Sequence, residues 1–115
     1  MSTAIPTPDT WLVHYDPGPA WLAGKPVFEQ PLEGHAEFNE QRIADGTLIV
    51  SGPLIGRDGG FALYRGPDKA TVVDLLAEDP AVCSGVFVVN VTGVLISFSS
   101  VEELPPLPSP ADRAR

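Results

Sequence analysis

Cysteine, basic residues and long apolar runs are all scarce in this sequence of 115 residues. Cys83 is the only cysteine, which excludes an internal disulfide and a zinc site built from several thiolates. No apolar run approaches the roughly 20 residues of a membrane-crossing helix. The first ten residues also lack the basic start and apolar core of a signal peptide. We therefore expect a soluble cytoplasmic protein in which Cys83 is a small buried residue.

Acidic residues dominate the charge, because 15 Asp and Glu face only 7 Lys and Arg, for a net charge of −8. Such a chain repels phosphate backbones and anionic lipids, so we expect neither a nucleic-acid partner nor a membrane partner. A hydrophobic fraction of 43% is ordinary for a globular protein. The expected organisation is an N-terminal arm over residues 1–10, one domain over 11–101 and an extended proline-rich tail over 102–115.

The spacing of apolar residues predicts six regular elements between the glycines and prolines. Alternation predicts strands over residues 11–15, 47–51, 61–65 and 85–98. Helical spacing predicts one helix that begins at residue 29 or 32 and ends at 44, and a second that begins at Asp68 and ends before Pro80. The apolar stripe expected on the first helix consists of Leu32, Ala36, Asn39 and Ile43, with Phe38 beside it.

The last predicted strand changes the parity of its apolar residues partway along. Phe87, Val89 and Val91 share one parity, whereas Val94, Ile96 and Phe98 share the other. A one-residue bulge at Gly93 would keep all six on one face, so we expect a bulge there.

The element order is β–α–β–β–α–β. With right-handed crossovers this order predicts a ferredoxin-like α+β fold, a four-stranded antiparallel sheet with both helices on one face. Apolar residues on both parities of several strands indicate that the other face is also covered. We expect a second copy of the chain to cover it, which makes the protein a homodimer.

The same topology brings two chemically useful residues together. The two helices are antiparallel neighbours, so His35 near the start of the first and Asp79 at the end of the second should lie at one end of the helical layer. A carboxylate beside an imidazole fixes its tautomer and stabilises its cation, which suits general acid–base catalysis. The structural alternative is a half-buried histidine and an aspartate that merely ends a helix before a proline.

Four short runs carry a family resemblance: GHAEF at residues 34–38, DGTL at 45–48, SGPL at 51–54 and EDP at 78–80. In this order and spacing they resemble the YCII-related (YciI-like) domain family over residues 11–98. The resemblance implies a dimeric α+β barrel similar to that of muconolactone isomerases. It also implies that the family's proposed active-site histidine and aspartate correspond to His35 and Asp79. Asn39 and Arg42 depart from the pattern, because the family usually carries leucine there.

Five further residues are weaker candidates for binding a substrate, and each has an ordinary structural explanation. All five could line a pocket. However, a hydroxyl at a strand end can simply belong to a turn, and a charge on a glycine-rich loop can simply face solvent. The two aromatic rings and the second histidine can likewise be residues of the packed structure. These candidates are Ser51, Arg57, Phe38, Trp21 and His14. Two histidines and scattered carboxylates do not make a clear metal site, so we expect no metal.

The leading hypothesis is a cofactor-independent enzyme that isomerises, dehydrates or eliminates from a small cyclic or aromatic-derived metabolite, with His35 moving the proton and Asp79 orienting it. The main alternative is a non-catalytic dimeric protein that uses the same cleft to bind a small ligand or a partner enzyme. A haem-binding or oxygen-using relative in the same barrel superfamily is a third possibility.

Overall fold

The computed structural model describes residues 8–100, and the elements follow the predicted β–α–β–β–α–β order with a short extra helix. Residues 1–7 of the expected arm and the expected proline-rich tail lie outside the described residues. The elements are β1 Thr10–Pro17, a 3-10 turn Val27–Glu29, α1 His35–Ala44, β2 Leu48–Pro53, β3 Gly60–Arg65, α2 Lys69–Leu76, α3 Pro80–Cys83 and β4 Phe87–Val94.

The four strands form one antiparallel sheet in the order β2-β3-β1-β4, which confirms the predicted α+β fold. Alternate residues of each strand face the helices and form the core, because side chains of a strand point to opposite faces. Along β1, Val13 is fully buried on the helical face, whereas Leu12 is 38% exposed on the other. We call the face of the sheet away from the helices, which carries Leu12, His14 and Asp16, the open face.

The first helix begins later than predicted, at His35 rather than at residue 29 or 32. Gly34 precedes it with a φ of 85°, a left-handed conformation that cannot continue a right-handed helix. The expected apolar stripe is also wrong in part. Phe38 is the buried residue of α1, and Ile43 is 53% exposed.

The second predicted helix is two helices, because the chain turns between Leu76 and Pro80. Asp68 caps α2 as expected and accepts a hydrogen bond of 2.8 Å from the backbone N–H of Thr71. Pro80 does not simply stop a helix but is the first residue of α3, with Asp79 as its N-cap. Proline suits this position since its missing N–H would be unpaired there in any case.

The predicted bulge at Gly93 is absent from the described sheet. β4 pairs with β1 in unbroken register from Phe87 opposite Pro17 to Val94 opposite Thr10, and residues 95–98 follow it outside any strand. Gly93 instead permits close packing, because an added Cβ would lie 2.8 Å from the Pro8 ring. The one register shift among the described strand pairs lies between β2 and β3, next to Leu48.

Cys83 is exposed, contrary to the prediction of a buried residue. In the four-residue helix α3, Ala81 faces the core at 1% exposure, and Cys83 lies two residues further, about 200° around the helix axis. Its thiol donates a hydrogen bond of 2.9 Å to the carbonyl of Ala77, at the end of α2. No helix within residues 8–100 has both the length and the apolar character needed to cross a membrane.

Candidate active site

The centre of the candidate site is a contact between His35 and Asp79, which lie 44 residues apart in the chain. His35 is the first residue of α1, and Asp79 immediately precedes α3. The Nδ1 atom of His35 lies 2.7 Å from Oδ2 of Asp79. The structure therefore brings together the two side chains that the antiparallel helices were expected to place at one end of their layer.

Asp79 is held rigidly because both of its oxygens accept hydrogen bonds. Its side chain is 0% exposed, and Oδ1 accepts a bond of 2.9 Å from the backbone N–H of Ala81. That bond caps the first turn of α3, and Oδ2 is left for the imidazole. Since an ionised carboxylate only accepts, Nδ1 of His35 carries the proton of the neutral ring and Nε2 carries its lone pair.

The amide of Asn39 lies at the other nitrogen of the imidazole. Asn39 follows His35 by one helical turn, and its Nδ2 is 3.3 Å from Nε2 of His35. The amide nitrogen donates while Nε2 accepts, which agrees with the tautomer that Asp79 imposes. Both ring nitrogens of His35 thus have a side-chain partner.

Aromatic rings surround the imidazole on the sheet side. The ring centroids of Tyr15 and Phe87 lie 6.0 Å and 5.6 Å from that of His35. Burial, the neighbouring Tyr64 and the charge of Asp79 raise the pKa of Tyr15 far above its ordinary value. Tyr15 therefore remains a neutral phenol at the wall of the site.

His35 opens onto a cavity of about 180 Å³. Its lining is mostly apolar and aromatic, with the imidazole of His35, the amide of Asn39 and the hydroxyl of Ser51 as polar side chains beside the phenol of Tyr15. The lining residues are Tyr15, Val27, Phe28, Leu32, His35, Asn39, Ser51, Gly52, Pro53, Gly59, Gly60, Phe61 and Phe87. A mostly apolar cavity with a few polar groups is typical of small-molecule sites.

One side of the cavity is formed by the segment between β1 and α1, which Gln30 holds in place. Gln30 is only 6% exposed. Its Oε1 accepts a bond of 2.7 Å from the N–H of Leu22, and its Nε2 donates to the carbonyls of Leu22 and Lys25 at 3.0 Å and 2.9 Å. These bonds fix the 3-10 turn whose Val27 and Phe28 reach the cavity.

Of the weaker candidates, Ser51 lies in the cavity lining, whereas Phe38 and Trp21 do not. Phe38 packs in the interior at 6% exposure, beneath the guanidinium of Arg42 at 5.0 Å from its ring centre. Trp21 packs against the core, and its ring centroid lies 5.8 Å from that of Phe87. Trp21 therefore supports the cavity wall through Phe87, whereas Phe38 is a core residue of α1.

Arg57 and His14 lie away from the cavity, beside the carboxylate of Asp16. The Nη2 atom of Arg57 lies 3.4 Å and Nε2 of His14 lies 3.7 Å from Oδ1 of Asp16. Residues of one strand alternate between faces, so His14 points to the open face while Tyr15 points to the helices. The geometry does not bring Arg57 or His14 to the candidate site.

Most of the cavity wall was not predicted from the sequence, above all Tyr15, Leu32, Phe61 and Phe87 as lining residues. Asn39 could have been found, because it lies four residues after His35 in a predicted helix. Within residues 8–100, no group of three or more His, Cys, Asp or Glu residues is arranged to hold a metal ion.

The comparison with known protein families matches the part of the chain that forms the sheet and helices. A comparison with the curated proteins finds none that matches this chain. The sequence model of the YCII-related domain matches residues 11–94, which run from the second residue of β1 to the last residue of β4. The match covers the sheet, the helices and both residues of the His35–Asp79 contact, and on this basis the chain belongs to the family of YCII-related domains.

Proposed function

We propose that this protein is a small enzyme that uses no cofactor, in which His35 moves a proton on a cyclic or aromatic-derived metabolite and Asp79 orients the imidazole. The observation that carries the proposal is the 2.7 Å contact between Nδ1 of His35 and Oδ2 of Asp79 at the edge of a cavity. A base oriented by a buried acid beside a pocket is the arrangement that general acid–base catalysis requires.

In the proposed reaction, Nε2 of neutral His35 takes a proton from a carbon next to a carbonyl group, and the C–H electron pair moves toward the carbonyl oxygen. Asp79 stabilises the resulting imidazolium through its bond to Nδ1. The cation then returns the proton to a different carbon in an isomerisation, or to a departing hydroxyl in a dehydration. Positioned proton transfer of this kind contributes about 10²–10⁴-fold to a rate.

The size of the cavity supports a substrate built on one ring. A cavity of about 150 Å³ in another protein holds benzene, and the cavity here is about 180 Å³. The rings of Tyr15 and Phe87 offer flat apolar surface to such a substrate. Ser51 supplies a hydroxyl at the lining for a substrate oxygen.

Among the described residues, the cavity lining contains one imidazole and no carboxylate, lysine or arginine. In the proposed reaction His35 both removes and returns the proton. A single base that does both acts on one face of the substrate ring. We expect the removed and the added proton to lie on the same face, and part of the removed hydrogen to return without exchange with water.

A deuterium-exchange experiment tests the proposal before the substrate is known. The full chain is incubated in D₂O with a panel of small cyclic ketones, lactones and enols, and deuterium uptake next to the carbonyl is followed by NMR. We expect uptake in at least one compound, loss of that uptake in His35→Gln, and retention in the matched control His14→Gln, whose imidazole lies on the open face. Equal uptake by folded His35→Gln and wild type would overturn the proposal.

The alternative is a protein that binds a small ligand in the same cavity and performs no reaction. The specific observation in its favour is the lining, since its described residues include no acidic or basic side chain besides His35 to share the proton transfer. This alternative predicts that panel compounds perturb the His35 and Phe87 NMR signals without deuterium uptake from any compound. Uptake that depends on His35 would exclude it.

We also propose that the protein is a homodimer that pairs through the open face. Leu12, Val50 and Val88 are 38%, 43% and 44% exposed, and each lies on a different strand. The strand alternation puts all three on the open face, together with half-buried Leu63. An apolar surface that runs across a sheet is typical of a site of association.

Light scattering after gel filtration tests the dimer. We expect wild type to elute at twice the 12.2 kDa chain mass and Leu12→Asp to elute as a monomer. Ile43→Asp is the control, because Ile43 is 53% exposed but lies on α1, away from the open face. A monomeric wild type at every concentration, or a Leu12→Asp dimer as stable as wild type, would contradict the proposed interface.

A further inference from the structure

We propose that Asn39 is a positioning residue that holds the His35 imidazole in both of its protonation states by turning its side-chain amide. The inference rests on the proposed proton transfer by His35, because only a residue that gains and loses a proton needs a partner that serves both states.

The two ends of the Asn39 amide are in different situations. Nδ2 lies 3.3 Å from Nε2 of His35, whereas Oδ1 is buried and has no hydrogen-bond partner among the described residues. Burying a carbonyl oxygen without a hydrogen-bond donor costs free energy, so an unpaired oxygen in a native structure calls for an explanation. Asn39 also lines the cavity, next to the nitrogen that would receive the proton.

The observed orientation suits the neutral imidazole. Asp79 keeps the proton of the neutral ring on Nδ1, so Nε2 is an acceptor. The amide of Asn39 then donates from Nδ2 to Nε2. This bond uses the single lone pair of Nε2, so the amide must give way before Nε2 takes a substrate proton.

The imidazolium requires the opposite orientation. Once Nε2 carries a proton it becomes a donor, and a donor facing the NH₂ group of Asn39 is repelled. A half-turn of the amide exchanges nitrogen and oxygen at nearly the same positions. Oδ1 then accepts a charge-assisted bond from Nε2, and the carbonyl oxygen that lacked a partner gains one.

Few other side chains of similar size serve both states. Leucine neither donates nor accepts, and an ionised aspartate accepts only. The carboxamide is therefore matched to an imidazole whose other nitrogen is already fixed by Asp79.

The other titratable groups around the imidazole do not prevent the Asn39 amide from reporting the protonation of His35. Asp79 faces Nδ1 from the turn before α3, and Tyr15 faces the ring from β1. Leu32 and Phe87, from the adjoining segments, carry no charge. Because burial raises the pKa of Tyr15, this phenol does not titrate near neutral pH.

The first test follows the wild-type protein by NMR. The sequence has only two asparagines and two histidines: Asn39 beside His35, and Asn90 on the open face, where it and His14 both contact Asp16. Side-chain signals are recorded from about pH 5 to about pH 9, the range in which histidines commonly titrate. We expect the amide signals of Asn39 to shift with the same midpoint as the His35 ring.

Asn90 and His14 provide the matched control, because they form a second asparagine–histidine pair in the same chain. In His35→Gln the pH response of Asn39 should disappear, while Asn90 should still respond to His14. Amide signals of Asn39 that stay constant while His35 titrates would overturn the proposal. This measurement needs no substituted Asn39, so it does not depend on whether such a variant folds.

The second test replaces the amide. We expect Asn39→Leu to weaken proton binding by the His35 imidazole about three- to tenfold, because the charge-assisted bond lost by the cation is stronger than the neutral bond lost by the base. Asn90→Leu should leave the His35 titration unchanged. An unchanged His35 midpoint in folded Asn39→Leu would contradict the proposal. Neither test measures turnover, so a protein that exchanges no deuterium with any compound would count against the proposed function alone.

Discussion

Gly34 and Pro80 are in direct contact, and they are the residues next to His35 and Asp79 in the chain. A Cβ added to Gly34 would lie 2.8 Å from Cγ of Pro80, closer than real contacts allow. The starts of α1 and α3 therefore approach each other at a point where only glycine fits. This close approach is what lets the imidazole and the carboxylate meet over 2.7 Å.

A Gly34→Ala substitution should destabilise the protein through two separate effects. The left-handed conformation at φ 85° costs a non-glycine residue about 1–2 kcal/mol, and the collision with Pro80 adds about 1–3 kcal/mol. Gly24→Ala is the control, because Gly24 has a φ of 80° but nothing within 4 Å of an added Cβ. Urea unfolding of both variants measures the difference. Equal losses of stability would show that the contact with Pro80 contributes nothing.

Asp79→Asn should separate the role of Asp79 in the fold from its role beside His35. Asparagine is as good an N-cap as aspartate, so the free energy of unfolding should change little through the cap. To keep the bond to Ala81, however, the amide must turn its oxygen away from His35 and its nitrogen toward Nδ1. The ring proton then moves to Nε2, which is the wrong tautomer for a base, and proton transfer should fall about 10²–10⁴-fold.

Nitrogen-15 NMR of the imidazole distinguishes the two tautomers in Asp79→Asn directly. The control is Asp68→Asn at the N-cap of α2, which should change neither the tautomer of His35 nor its activity. A proton that stays on Nδ1 in folded Asp79→Asn would refute this explanation.

Gln30→Leu should loosen the wall of the cavity. The substitution removes three hydrogen bonds from a buried side chain, which we expect to cost about 2–4 kcal/mol of unfolding free energy. Gln41→Leu is the matched control on the exposed surface of α1 and should change stability by no more than about 0.5 kcal/mol. Unfolding followed by tryptophan fluorescence compares the two, and similar losses would be evidence against a special role for Gln30.

The two tyrosines of the chain, Tyr15 and Tyr64, make stability sensitive to alkali. Burial is the main cause that raises the pKa of each above the ordinary value of about 10. The folded protein thus binds both phenolic protons more tightly than the unfolded chain. Their contribution to stability is complete below about pH 10 and is lost progressively as the pH rises beyond it.

We expect phenolate absorbance in the near ultraviolet to appear only together with loss of the circular dichroism of the fold. Tyr15→Phe should delay alkaline unfolding because one of the two titrations is removed. Phenolate that forms at about pH 10 in a fully folded protein would contradict the burial of these hydroxyls.

The alternation of apolar residues was enough to predict the sheet, because strands half-buried against helices follow a period of two. The ends of the helices were not predictable in the same way. The starts of α1 and α3, at Gly34 and Pro80, depend on a contact between segments that are distant in the chain. A periodic pattern of apolar residues contains no information about such a contact. The parity change after Val91 likewise looked like a bulge at Gly93, although the strand ends at Val94.

For the candidate site, topology was sufficient to bring His35 and Asp79 to one end of the helical layer. The cavity wall required more, because Phe28 reaches it only through the hydrogen bonds that Gln30 makes to a loop without regular structure. Asn39 lay within reach of helical spacing, because it follows His35 by four residues in the predicted helix.

The alternation along β1 has a consequence for how this chain can change in length. Tyr15 faces the cavity while His14 and Asp16, its immediate neighbours, face the opposite side of the sheet. Deletion of a single residue within β1 would exchange the two sets, sending a phenol outward and a charged group inward. Changes in chain length should therefore be tolerated in the exposed stretch over residues 55–58, and selected against in the central strand.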